Sequence, residues 1–326
     1  MALWRQGISA ATYRRITLGA LVALIFIIVT GGAVRLTGSG LGCSDWPTCE
    51  ENQFLPDVEY HALVESVNRA ITGVVSVAVA LAVLGSLLLR PRRRHLIGLA
   101  LGLVAGVAGQ VVLGGLVVWY HLSPWLVISH FLLSMVLVAN AVVLHHRAGR
   151  LAASGGRDGP APYGPAPYDP AAYDPAAYGG GPSRVTANLT RLLLAVTVLA
   201  IVTGTLLTGA GPHGGDADVE RLDYDIPSLA RFHGGAMALC AAMALALWAG
   251  AERGTFGRRR RGRRPAGHAG AARAVVLVIG AQAAIGYLQY FTGVPALLVG
   301  IHIAGAALLW TAVLRLHLAV AEVHAR

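Results

Sequence analysis

Charged residues are scarce in this chain of 326 residues. Asp, Glu, Lys and Arg together make up 13% of it, whereas hydrophobic residues make up 55%. A soluble globular domain has about a quarter of its residues charged. This shortage, together with a mean hydropathy of +0.61, predicts a polytopic membrane protein and leaves no stretch for a separate soluble catalytic domain.

Cysteine is also scarce, with three residues in the whole chain. Cys43 and Cys49 stand in the segment "CSDWPTC", and two soft ligands are too few for a structural zinc site. Two thiols that close a short loop on an oxidising face suggest a disulfide. Such a bond is structural by default and redox-active if it is exposed and strained. Cys240 lies in an apolar run and is predicted to be a small core residue.

Long apolar runs, by contrast, are abundant. About 20 apolar residues cross the hydrocarbon core of a bilayer, and a spanning segment must be helical because lipid offers its backbone no hydrogen-bond partner. The predicted fold class is therefore an all-α integral membrane protein with eight transmembrane helices. The predicted spans are 16–37, 62–89, 96–118, 125–146, 191–210, 229–250, 271–291 and 296–318.

Arginine-rich segments fall on alternate connections between these spans. Examples are "RPRRR" at 90–94 and "RRRRGRR" at 258–264. Positively charged connections mark the cytoplasmic side, so we expect a multi-pass protein of the plasma membrane with both termini in the cytoplasm. The formal charge of +10 then faces anionic lipid. It predicts the lipid bilayer as a partner and no nucleic acid.

The chain divides into two halves that resemble each other. The segment "IVTGGAVRLTGSG" ends the first span of one half, and "IVTGTLLTGAG" ends the first span of the other. An internal repeat of four helices keeps the same orientation in both copies, so we expect two pseudo-symmetric four-helix bundles. A segment dense in proline, glycine and tyrosine joins them and is predicted to be a disordered cytoplasmic linker. The predicted domains are 1–146, the linker 147–190, and 191–326.

Histidines recur at matching depths in the repeat. Gln110 and His130 are twenty residues apart, as are Gln282 and His302, and each histidine lies about six residues, or roughly 9 Å, below the outer end of its span. His233 lies at a similar depth in the sixth span.

The repeat also indicates how these histidines are used. The counterpart of His233 in the second span is Asn68. Imidazoles that face each other across a four-helix bundle can hold haem iron, which predicts a haem between His233 and His302. The alternative is that each histidine bonds to a neighbouring helix.

Other polar groups lie near the same end of the spans. Arg35, Arg69 and Arg231 oppose the positive-inside tendency there, and a guanidinium can bind a haem propionate through two hydrogen bonds. The alternative is that they reach lipid phosphates or pair with acidic residues. Glu65 shares a helical face with Asn68. An intramembrane carboxylate is a candidate functional group, and the alternative is a salt bridge to Arg69.

These residues together resemble a known family. The segments "TGSGLGCSDWPTC", "SPWLVISH", "ARFH" and "VGIH", with the Glu-x-x-Asn-Arg pattern at 65–69, are similar to haem A synthase, a membrane enzyme that serves cytochrome oxidase assembly. The likeness covers all eight spans and is greatest to actinobacterial members.

The resemblance implies an oxidoreductase that converts the C8 methyl of haem O to a formyl group by successive hydroxylations. It implies that His233 and His302 ligate haem b, that His130 faces the iron of the substrate haem in the N-terminal half, and that Glu65 is catalytic. It also implies that Cys43 and Cys49 match the outer-loop cysteines linked to electron delivery. Haem O would come from a haem O synthase, a membrane electron donor is required but not named by the sequence, and a homo-oligomer stays open.

One position departs from the family pattern. Many members have histidine where this chain has Asn68, and asparagine is a poor iron ligand. The substrate site is therefore expected to have one histidine, unless His61 or His121 substitutes. Our hypothesis is that the half with one ligand performs the chemistry and the half with two passes electrons.

Two other classes are open from the sequence. A quinone-linked haem-b electron-transfer protein would use the same histidines without needing Glu65. A two-repeat transporter would need a polar site at the middle of the membrane, whereas the polar residues of this chain cluster near the outer surface.

Overall fold

The computed structural model describes residues 7–50, 58–155, 183–253 and 268–324. Within these ranges the chain forms eight long α-helices and no named strand, and all eight are long and apolar enough to cross a membrane. This confirms the prediction of an all-α, multi-pass membrane protein. The helices are α1 (Ala10–Leu36), α2 (Tyr60–Leu88), α3 (Arg94–Trp119), α4 (Pro124–Ala153), α5 (Arg184–Ala210), α6 (Ile226–Arg253), α7 (His268–Phe291) and α8 (Ala296–His324).

Several helices are longer than their apolar runs. Helices α1 and α5 each begin after a serine, Ser9 or Ser183, whose side chain accepts a hydrogen bond from a backbone N–H of the first turn. Such caps satisfy groups that a helix end leaves without partners, so the helix can start in polar sequence before the membrane.

The predicted linker 147–190 was therefore too long. Helix α4 continues to Ala153 and α5 begins at Arg184, so residues 147–153 and 184–190 are helical. The reason is that hydropathy marks the membrane-spanning part of a helix and not its polar extension. Residues 156–182 of the predicted linker lie outside the described residues.

Each half is a square of four helices. Helix α1 packs against α2 and α4, and α3 packs against the same two, so α2 and α4 stand at diagonal corners. In the second half α5 and α7 both pack against α6 and α8. Helices α6 and α8 therefore stand at diagonal corners of the second square, as α2 and α4 do in the first. This packing is consistent with two pseudo-symmetric bundles.

The halves meet through α1, α4, α5 and α8. Within this contact the buried Trp310 of α8 donates a hydrogen bond from Nε1 to the carbonyl oxygen of Met135, at 2.9 Å. One buried apolar cluster lies within the second half, and the other runs from the first half onto α8 at Ala307, Trp310 and Leu314. The two bundles therefore form one packed body.

At one end of the molecule the loops of the two halves contact each other, and we call this end the disulfide face. It comprises residues 37–50, 120–123, 211–225 and 292–295. The N–H of Gly40 donates to the carbonyl oxygen of Gly215 at 2.9 Å. Just before α6, hydrogen bonds from the side chain and backbone of Ser228 hold the pKa of Asp225 below its ordinary value and fix the start of that helix.

Candidate functional site

Two histidines face each other inside the second bundle, near the disulfide face. His233 comes from α6 and His302 from α8, the diagonal pair, and their ring centroids are 6.4 Å apart with an interplanar angle of 63°. A metal about 2 Å from each imidazole nitrogen puts the two ring centres about 6 Å apart. The spacing of this pair fits one metal ion between the rings.

The hydrogen bonds of His233 leave one nitrogen for such a metal. Its Nδ1 lies 3.0 Å from the carbonyl oxygen of Ala200 and 3.2 Å from the hydroxyl of Thr203. The carbonyl can only accept, so Nδ1 carries the proton and Nε2 is the nitrogen with a free lone pair. A backbone carbonyl that orients an imidazole in this way is typical of metal-ligating histidines.

Glycines on neighbouring helices make room for these rings. A Cβ added to Gly204 of α5 would lie 3.1 Å from Cε1 of His233, and one added to Gly286 of α7 would lie 3.3 Å from Cε1 of His302. Both distances are tighter than ordinary van der Waals contact. The two imidazoles therefore keep their positions because the adjacent helices carry no side chain there.

The donor set suits haem better than a bare metal ion. Among the described ranges no three His, Cys, Asp or Glu side chains converge. A site with two protein donors on opposite sides fits a metal that brings its own equatorial ligands, as iron does in porphyrin. The residues present thus fit a haem between His233 and His302.

The first bundle repeats this arrangement with one change. Thr30 donates its hydroxyl to Oδ1 of Asn68 at 2.8 Å, in the place where Thr203 contacts His233. Gln110 donates to the carbonyl oxygen of His130 at 3.1 Å, as Gln282 does to that of His302 at 2.9 Å.

Gly114 completes the correspondence, since a Cβ there would lie 3.7 Å from Cε1 of His130. The same position relative to His302 is held by Gly286. Contact by contact, Asn68 stands where the second bundle has His233.

The two histidines considered as substitutes for Asn68 lie elsewhere. His61 is exposed in the first turn of α2, and its Nδ1 is 2.9 Å from the hydroxyl of Ser39. It is about two helical turns, or roughly 10 Å, from Asn68 along the helix axis. His121 is exposed in the turn between α3 and α4. Both imidazoles are thus exposed, whereas Asn68 is half-buried.

Glu65 is buried and paired. Its Oε1 accepts hydrogen bonds from Arg69 Nη2 at 2.6 Å and Nε at 3.2 Å, and its Oε2 accepts the backbone N–H of Cys43 at 2.8 Å. The salt bridge that was the alternative interpretation of this residue is therefore present. It does not exclude a catalytic role, which stays a prediction.

Arg69 fastens the disulfide loop to α2. Besides Glu65, its Nη1 donates to the carbonyl oxygens of Asp45 at 2.9 Å and Thr48 at 2.7 Å, and its guanidinium lies 4.9 Å from the centre of the Trp46 ring. These contacts hold the loop against the first bundle. The predicted propionate contact of Arg69 would have to be made by its one remaining N–H.

The other two arginines differ from each other. Arg35 donates from Nε to the carbonyl oxygen of His213 at 2.6 Å and from Nη2 to that of Thr208 at 2.9 Å, so it ties α1 to the second half. Arg231 is exposed and donates to the hydroxyl of Ser228. Propionate contacts by Arg35 and Arg231 stay predictions.

His213 connects two loops of the disulfide face. It is half-buried, and its Nε2 lies 2.8 Å from the carbonyl oxygen of Val294. It joins the α5–α6 connection to the α7–α8 connection because both turns come together above the second bundle.

The disulfide is confirmed. Cys43 and Cys49 are bonded, both residues are buried, and the hydroxyl of Ser66 contacts both sulfurs at 3.4 and 3.6 Å. Burial favours the structural interpretation of this bond. Cys240 is a buried free cysteine of α6, as predicted.

The sequence interpretation missed several contributors to the site. Thr30 and Thr203 occupy the same place in the "IVTG" repeat segments, which was a usable signal. Gly114 and Gly286 each follow a repeated glutamine by four residues, and this spacing was a second usable signal. The insertion of Trp46 beside Gly115 of α3 had no such signal, because it depends on how the loop folds back.

Comparison with known proteins places the chain in a family. Residues 14–314 match the family described as COX15-CtaA, cytochrome oxidase assembly protein. The chain belongs to this family. The match extends over nearly all of the described helices and includes every histidine, arginine and acidic residue of the two pockets.

Individual relatives match over a shorter stretch. The chain is 31% identical over 123 residues to a protein named haem A synthase from Bacillus pumilus, which is 37% of this chain and 40% of that protein. A haem A synthase of Listeria welshimeri is 31% identical over 121 residues, covering 36% of this chain and 40% of the relative.

A haem A synthase of Exiguobacterium sibiricum is 28% identical over 123 residues, covering 37% of this chain and 41% of the relative. The alignments thus span about 40% of the relatives' length. Neither the family match nor these names favour the quinone-linked cytochrome. The actinobacterial subtype stays a prediction.

Proposed function

We propose that this protein is a haem A synthase, which oxidises the C8 methyl of haem O to a formyl group and so provides haem A for cytochrome oxidase. The observation that carries the proposal is the inequivalence of two otherwise matching pockets. One offers two facing imidazoles, and the other offers one imidazole, an amide and a nearby buried carboxylate. Such a pair suits an electron-transfer site next to a reaction site.

In the second half, His233 and His302 would hold haem b. Haem iron with two imidazole ligands supplies one-electron transfer and has no open position for substrate. The Ala200 carbonyl and the Thr203 hydroxyl orient the His233 ring. The protein residues here fix the two rings in place.

In the first half, His130 would hold the substrate haem from α4. Glu65 lies one turn of α2 closer to the disulfide face than Asn68, on the same side of the helix. Each hydroxylation of the methyl carbon would consume O2, protons and electrons from the membrane donor and release water, and the doubly hydroxylated carbon then loses water to leave the formyl group. We expect the Glu65 carboxylate to pass protons in these steps, while Arg69 and the N–H of Cys43 hold it in position.

The location follows the charge distribution. The arginine-rich connection 90–94, at the opposite end of the first bundle from the disulfide face, favours a plasma membrane protein with both termini in the cytoplasm, so that the disulfide face lies outside. The buried disulfide is in keeping with an oxidising exterior. Haem O from a haem O synthase and a membrane electron donor are the partners that this activity requires.

Conversion of haem O in a host that lacks its own haem A synthase tests the function. The chain is co-expressed with a haem O synthase, and extracted haems are identified by mass. We expect haem A with the wild-type chain and a fall of about a hundredfold or more with Glu65→Gln, because a general acid–base is lost.

Glu59→Gln is the matched control, since Glu59 is exposed and makes no side-chain cap bond at the start of α2. This variant is expected to convert haem O as the wild type does. Absence of haem A from the wild-type culture would contradict the proposed function. Full conversion by Glu65→Gln, with haem b retained, would instead favour an electron-transfer protein.

A further inference from the structure

The side chain of Asn68 is held from one side only. Thr30 donates its hydroxyl to the amide oxygen at 2.8 Å, and the amide nitrogen has no hydrogen-bond partner among the described residues. An amide nitrogen carries two N–H donors and no lone pair for a metal. Asn68 therefore presents hydrogen-bond donors, and not a ligand, to whatever lies beyond it.

The internal repeat indicates where those donors point. In the second bundle the threonine of the repeat segment contacts Nδ1 of His233, which leaves Nε2 for the partner on α8, His302, whose ring centroid is 6.4 Å away. In the first bundle the equivalent threonine contacts the amide oxygen of Asn68. The amide nitrogen then takes the position of Nε2 of His233, opposite His130.

We propose that Asn68 is a hydrogen-bond donor above an open iron position of the substrate haem, and that His130 is the single protein ligand of that iron. This inference rests on the proposed function, because it needs a haem in the first bundle. Small anions such as azide bind at an open iron position. The amide N–H groups stabilise them there, as charge-assisted donors do.

Neither candidate for a second imidazole changes this assignment. His61 is exposed in the first turn of α2 and bonds to Ser39, and His121 is exposed in the α3–α4 turn. The side chain of Asn68 itself is half-buried and anchored by Thr30. The position opposite His130 therefore has an amide and no imidazole.

The test uses full-length protein purified from cells that also make haem O. Haem content is first measured by extraction and mass analysis, and electron paramagnetic resonance of the ferric protein then reports the spin state of each haem. We expect one low-spin haem and one high-spin haem in the wild type. Sodium azide should convert the high-spin signal to low spin and leave the other signal unchanged.

Two substitutions at this position separate donation from ligation. Asn68→Leu keeps the size of the side chain and removes the donors, so we expect the high-spin signal to persist while azide affinity falls about tenfold. Asn68→His copies the second bundle, so we expect the high-spin signal and the azide response both to disappear. His233→Asn is the matched exchange, and it should create a second high-spin, azide-binding haem.

The outcomes distinguish this inference from the proposed function. A preparation with haem b and neither haem O nor its oxidation products contradicts the proposed function itself. Two haems that are both low spin in the wild type overturn the inference alone. So does an Asn68→Leu variant that binds azide as tightly as the wild type does, because the amide would then donate nothing.

Discussion

At the scale of single residues, the two pockets differ in their facing pair by one exchange, Asn68 for His233. Their surroundings correspond in detail, since Thr30 matches Thr203 and Gln110 matches Gln282. Equivalent contacts around these two different side chains indicate that both halves share one scaffold. The residue at this one position would then determine how many protein ligands a bound haem iron has. The second distinctive residue of the first half is Glu65, whose position depends on Arg69.

The ion pair between Glu65 and Arg69 gives a stability prediction. Arg69→Met removes the partner of a buried carboxylate and the bonds to the disulfide loop, so we expect a loss of about 3 kcal/mol in the free energy of unfolding. It is measured as a lower midpoint of thermal unfolding by circular dichroism in detergent.

The controls for Arg69→Met come from the same chain. Arg231→Met, at an exposed arginine, should change the midpoint little. The double variant Glu65→Gln with Arg69→Met should recover part of the loss, because no unpaired carboxylate is left buried. An Arg69→Met midpoint equal to that of the wild type would mean that the pair contributes nothing.

At the scale of helices, the sequence was a good guide to the parts that lie in the membrane. Apolar length predicted eight helices and the glutamine–histidine spacing predicted the repeat, because both depend on local pattern. The helix ends set by Ser9 and Ser183 were not predicted, since capping occurs outside the apolar run. The salt bridge of Glu65 was anticipated only as an alternative, because spacing along a helix does not fix burial.

Contacts between distant segments could not be predicted. Arg35 reaches the carbonyl oxygens of Thr208 and His213, and Trp46 lies against Gly115. Each contact depends on the arrangement of two halves or on the path of a loop. No periodicity in the sequence records such an arrangement. The same holds for the 6.4 Å separation of the two imidazoles, because depth along a helix was the only part of it that the repeat predicted.

A prediction at this scale concerns glycine on α7. Gly286→Ala would place a methyl group 3.3 Å from Cε1 of His302, whereas a Cβ at Gly280 meets nothing within 4 Å. We expect Gly286→Ala to release haem b about ten times faster, since displaced ligand geometry weakens metal binding. Transfer of haem to excess apomyoglobin measures the rate.

Gly280→Ala on the same helix is the control and should release haem at the wild-type rate. Alanine is the better helix former in water by about 1 kcal/mol, so helix destabilisation would not explain a faster release from Gly286→Ala. Equal rates for the two variants would show that the close approach at Gly286 has no bearing on His302.

At the scale of the whole molecule, two bundles are joined along α1, α4, α5 and α8. Trp310 and Arg35 form hydrogen bonds across this contact. Both pockets lie near the disulfide face, at the same depth of their bundles. The arrangement keeps a two-imidazole pocket and a one-imidazole pocket in a fixed relation, as transfer of electrons between two haems requires.

The central claim is that His233 and His302 hold a haem between α6 and α8. The direct measurement is the reduced-minus-oxidised absorption spectrum of the purified chain, compared between wild type, His302→Ala and His317→Ala, with both histidines on α8. We predict a low-spin haem b spectrum that His302→Ala loses and His317→Ala keeps. A wild-type chain without Soret absorbance, or a His302→Ala spectrum of undiminished low-spin haem b, would contradict the account.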